Sequence, residues 1–106
     1  MKSFEHDYNW TGWPSKCRVH IKDMGLVTWI CFENESGTSV TNASELLATE
    51  IVEKEGLDPN QCRFFEYYPE YEGNVDEVEY EWRDNKAHRA TWKHFCKKET
   101  NPFLSE

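Results

Sequence analysis

Glu35-Ser-Gly-Thr-Ser-Val-Thr-Asn-Ala-Ser-Glu-Leu-Leu-Ala-Thr-Glu-Ile-Val-Glu-Lys-Glu-Gly56 is the one stretch with a sustained helical pattern, and its reading decides the fold. Val40, Ala43, Leu46, Leu47, Ala48, Ile51 and Val52 recur at spacings of three and four, which sets them on one side of an α-helix. Glu45, Thr49, Glu50, Glu53 and Lys54 fall mostly outside that stripe. Ser39, Thr41 and Asn42 can each accept a free first-turn N–H, and Asn42 with Glu45 has the spacing of a capping box. Gly56 supplies the left-handed residue that a helix end prefers, and Asp58-Pro59 forbids continuation.

Outward from the helix, the chain reads as strands. Residues 1–15 hold Phe4, Tyr8, Trp10 and Trp13 with Gly12 and Pro14 as breakers, so an irregular or partly extended arm whose aromatics pack onto the domain is expected. Cys17, Val19 and Ile21 alternate with Arg18, His20 and Lys22 in a first strand. Asp23-Met-Gly25 turns the chain into Leu26–Phe32, apolar almost throughout, as a strand covered on both faces would be. Past the helix, Cys62, Phe64, Glu66 and Tyr68 alternate with Arg63, Phe65 and Tyr67, so both sides of that strand carry aromatics. Glu77, Glu79 and Glu81 alternate with Val78, Tyr80 and Trp82, a pattern suited to a charged edge strand. Asp84-Asn85-Lys86 reads as a turn, 90–95 as a short fifth strand or a helical turn, and 99–106 as a frayed tail. The expectation is one α+β domain, ββαββ, with a long helix on a small antiparallel sheet.

At 106 residues the chain can bury roughly two thirds of its unfolded surface without disulfides or metal. It has no apolar run near the roughly 20 residues of a membrane span, and Met-Lys-Ser-Phe-Glu-His-Asp7 lacks the apolar segment of a secretory signal, so a cytoplasmic protein without membrane contact is expected. Cys17, Cys31, Cys62 and Cys96 form no Cys-x-x-Cys pair and read as small apolar residues. The weaker alternative is a zinc site of Cys17, His20, His94 and Cys96, which needs a broken strand because residues three apart on a strand face opposite ways. No cofactor is otherwise expected.

The net charge of −8 is uneven. Acids crowd 66–84, and Lys86, Arg89, Lys93, Lys97 and Lys98 follow with almost none. This balance argues against direct nucleic-acid binding by counterion release.

The loop Gly37-Thr-Ser-Val-Thr-Asn42 before an Ala/Leu helix, Glu66-Tyr-Tyr-Pro69 closing the next strand, the Val78/Tyr80 strand and a late Trp92 resemble a family of small uncharacterised bacterial proteins. That family carries a Gly-Thr-Ser-[Val/Ile]-Thr-Asn loop and a Glu-His-Tyr-Pro segment, where this chain has Tyr67 in place of the histidine. The resemblance spans about Trp10 to Trp92 and implies a bacterial, plasmid or phage source, but no activity.

Three functional readings follow. The first is a non-catalytic protein-binding or inhibitory module, phage- or plasmid-borne, that imitates nucleic acid or blocks a defence protein. Its surface would be Glu66, Tyr67, Tyr68 and Tyr71 with Glu77, Glu79 and Glu81, aromatic anchors within a charged rim. The second is an anion or nucleotide site at the helix start, built from Thr38, Ser39, Thr41 and Asn42. The third is an enzyme using Glu66, His94 or Cys96, with no spacing that sets a nucleophile beside a base. Sequence leaves the oligomeric state open.

Overall fold

The computed structural model describes residues 1–35, 39–70 and 74–95, with Asn74 and the last five by backbone alone. Among the described residues six strands and one α-helix follow in the order β1 (Lys2–Trp10), β2 (Trp13–Asp23), β3 (Thr28–Glu33), α1 (Ser44–Glu55), β4 (Cys62–Tyr68), β5 (Asn74–Arg83) and β6 (Lys86–Phe95), with a single 3-10 turn at Pro59–Gln61 leading into β4. They form one sheet in sequence order, curled into a half-barrel. Neighbours are antiparallel except β3 and β4, which run parallel because α1 carries the chain back between them.

The expected ββαββ layout with one long helix on an antiparallel sheet is therefore wrong. The chain is βββαβββ, mostly strand, and its helix has 12 residues. The aromatic arm is strand β1, paired with β2 from Lys2↔Ile21 to Trp10↔Trp13. Gly12 is no breaker: Thr11 (φ 49°) and Gly12 (φ 85°) make the two-residue turn with positive φ whose twist matches the flanking strands. Pro14 is tolerated because β3 pairs only with Val19–Asp23, which leaves that end of β2 with a neighbour on one side. Residues 90–95 belong to strand β6, joined to β5 by Asp84 (φ 53°) and Asn85 (φ 62°) in a turn of the same kind. The glutamate strand is not an edge but lies between β4 and β6. Residues 99–106 lie outside the described ones.

The inner face of the curl carries Tyr8, Cys17, Val19, Ile30, Phe32, Phe64 and Ala87, buried against Val40, Ala43, Leu47, Ala48, Ile51 and Val52. The expected helix stripe is thus the one that packs. Gly56 closes α1 at φ 64°, with its N–H on the Glu53 carbonyl. The helix sits across the mouth of the curl. On its β1 flank Glu50 meets His6 at 2.8 Å, Glu55 meets Lys2 at 2.6 Å and Lys54 lies over the Phe4 ring. On its β6 flank Thr49 and Glu45 accept the N–H groups of Ala87 and Arg89. Pairing the β6 edge this way satisfies donors that an open edge would expose. In β6 the register skips Ala90, a bulge opposite Glu79 and Tyr80 of β5. Among the described residues no helix is long and apolar enough to cross a membrane.

Candidate functional site

Strict alternation splits the proposed acidic and aromatic patch between two faces. Glu66 and Tyr68 point inward with Phe64, whereas Arg63, Phe65 and Tyr67 point outward. Glu77 and Glu79 share the outer face with Tyr67, Glu81 is exposed, and Tyr71 lies outside the described residues.

The inner polar cluster gathers at the start of α1. No side chain caps the helix: Ala43 is the N-cap residue, and its N–H bonds the Ser39 carbonyl. The expected capping by Ser39, Thr41 or Asn42 is corrected by where their groups go. The Ser39 and Tyr8 hydroxyls share a hydrogen bond at 2.6 Å, Thr41 accepts from the Asn34 amide, and Asn42 is exposed. Thr38 lies outside the described residues. The Arg89 guanidinium reaches the helix start from β6, donating to the Thr41 carbonyl at 2.7 Å and to the Ser44 hydroxyl. Hydroxyls read as ligand groups are thus engaged within the fold. Beneath them Glu66 is fully buried, and burial pushes its carboxyl up to about 7.

The outer face is built in rows. Lys22, Trp29 and Arg63 align across β2, β3 and β4; His20, Cys31, Phe65 and Glu77 form the next row; Glu33, Tyr67 and Val75 form the third. Cys31, Phe65 and Val75 are buried, with Trp29 and Tyr67 half-buried over them. The Trp29 and Phe65 rings lie 4.8 Å apart. Arg63 stacks 4.8 Å over Trp29 and 5.4 Å over Phe65, and its fork grips Glu77 through Nε at 2.7 Å and Nη2 at 2.6 Å. At the margin His20 bridges Glu33 and the Ser3 hydroxyl, each at 2.7 Å. The face thus has an aromatic and guanidinium centre with charge around it. Sequence reasoning missed Trp29 and Arg63, although the aromatics on both sides of 62–68 were the signal that a second face existed.

Cys17 lies on the inner face and His20 on the outer, so they do not converge; the His94 side chain and Cys96 lie outside the described residues. Among the described residues no His, Cys, Asp and Glu group could hold a metal. Burial pushes the Cys17 thiol up to about 12 and Cys62 to about 11, and raises Cys31 well above the usual range, so these thiols stay protonated and weakly nucleophilic. No protein-family model, curated protein or solved structure matches the chain.

Proposed function

We propose that this protein is a non-catalytic binding module that docks a protein partner on the outer face of its sheet, around Trp29, Arg63 and Tyr67. The observation that carries this reading is the Arg63 guanidinium held between Trp29, Phe65 and Glu77. Tryptophan, tyrosine and arginine dominate the energetics of protein interfaces, and side chains fixed before docking lose less entropy on binding. With a net charge of −8, the protein favours a basic partner through long-range attraction. In the inhibitory form of this reading, that partner is a nucleic-acid-binding protein whose basic groove is blocked.

Affinity capture at physiological salt, from the cells that make the protein, tests the reading with wild type, Trp29→Ala and Arg63→Ala. A partner retained by wild type and lost by both variants supports it. Equal retention by all three, or none by wild type, counts against it.

A further inference from the structure

The two edges of the sheet meet the helix in different ways. At the β6 edge, side chains of α1 accept the N–H groups of Ala87 and Arg89. At the β1 edge α1 touches side chains alone: Glu50 bonds His6, Glu55 bonds Lys2 and Lys54 lies over Phe4. Those β1 residues share the inner face with Tyr8, so the helix leaves the alternate positions clear.

Which backbone groups face that edge follows from the hairpin. Trp10 and Trp13 flank its two-residue turn and so form a hydrogen-bonded pair. Antiparallel alternation then commits Tyr8, His6, Phe4 and Lys2 to β2, and turns the N–H and C=O groups of Asn9, Asp7, Glu5 and Ser3 away from it. Pro14, with no N–H to give, occupies the matching outward position on β2, opposite Asn9. Among the described residues no strand lies beyond β1, and no hydrogen bond from outside the sheet reaches the backbone of Ser3, Glu5, Asp7 or Asn9. All four are exposed. Their donors and acceptors repeat every second residue, about 7 Å apart, as an incoming strand requires.

The side chains along the edge narrow the occupant. Glu5 and Asp7 project on the outer face, with Arg18 and Lys16 opposite them on β2. A second copy of β1 is a poor match, because antiparallel pairing about His6 sets Glu5 against Asp7, and the neighbouring registers set Glu5 against Glu5 or Asp7 against Asp7. A strand carrying cations in that row continues the alternation of sign that β2 begins.

We infer that the β1 edge accepts an extended basic segment of a partner protein, which adds as an antiparallel strand with cationic side chains opposite Glu5 and Asp7 and apolar ones between them. This site is separate from the outer-face centre: β2 lies between it and the strand of Trp29.

The probe is acetyl-Thr-Val-Lys-Val-Lys-Val-Thr-amide, titrated into the full chain at physiological salt and followed by NMR. At saturation, exchange slows at the amides of residues 3, 5, 7 and 9, while the already bonded amides of 4, 6 and 8 keep their rates. The same peptide N-methylated at both lysines keeps its charge but loses two ladder donors, and it binds at least about tenfold more weakly. Glu5→Gln combined with Asp7→Asn, both at exposed positions, weakens the unmodified peptide roughly three- to tenfold. Equal binding of the methylated peptide, unchanged binding by the double variant, no slowing at the four amides, or no binding at millimolar peptide overturns the inference. So does protection of those amides without peptide that disappears on dilution, since a second copy then holds the edge.

Discussion

The backbone N–H of Arg89, on the last strand, donates to the Glu45 carboxylate on the helix at 2.7 Å. One turn on, the Thr49 hydroxyl accepts the N–H of Ala87 at 2.9 Å. The helix therefore works as the neighbour that edge strand β6 lacks. Glu45→Ala and Thr49→Ala should each cost up to about 1 kcal/mol, with faster exchange confined to the amides of 87 and 89. Unchanged exchange at those two amides would show that the edge is closed by other means.

Leu47 is fully buried at the centre of the helix stripe. Leu47→Ala should destabilise the protein by roughly 2 to 5 kcal/mol, the range for a large core side chain cut to a methyl. Denaturant melts should show a lowered midpoint with unchanged slope, whereas an unaltered midpoint would place the stripe elsewhere.

Stability should also carry the mark of Glu66. Its folded-state carboxyl sits at about 7 against an ordinary 4.5, so the folded state holds the proton more tightly than the unfolded chain. The resulting stability is complete below the ordinary value and is lost as pH rises through 7, a change of roughly 3 to 4 kcal/mol. Glu66→Gln should therefore gain on wild type between pH 5 and 8 in thermal melts. A constant gap across that range would mean the carboxyl titrates in its usual range.

Thiol labelling offers an independent check on the core. Cys17 and Cys31 should resist alkylation at pH 8 in the folded protein and Cys62 should react slowly, since burial keeps all three protonated. Peptide mass mapping resolves each site, and rapid labelling of Cys17 or Cys31 would contradict their burial.

What the sequence made legible was what local pattern controls. The Leu47 and Ile51 stripe, the stop at Gly56 and the hairpin joining Cys17–Ile21 to the following strand all hold. The first strand escaped because Gly12 and Pro14 look like breakers in isolation, yet one makes the turn and the other lies where β2 has a single neighbour. The parallel pairing of β3 with β4 depends on a helix seated in a curl, which no local window contains. The helix-start hydroxyls look like caps or ligand groups until Arg89, distant in sequence, is seen to claim Thr41 and Ser44. The outer face stayed hidden for the same reason: Trp29, Arg63 and Glu77 come from three strands, and only their register joins them.

That outer face is tested most directly by photo-crosslinking in the cells that make the protein. A photo-reactive phenylalanine analogue is placed at position 67, among the outer-face aromatics, and in a second variant at position 54 on the exposed flank of α1. The expected result is a discrete adduct from position 67 that disappears when Arg63→Ala is added, with none from position 54. Adducts from position 54 alone, an adduct at 67 indifferent to Arg63, or no adduct from either position would contradict docking on this face.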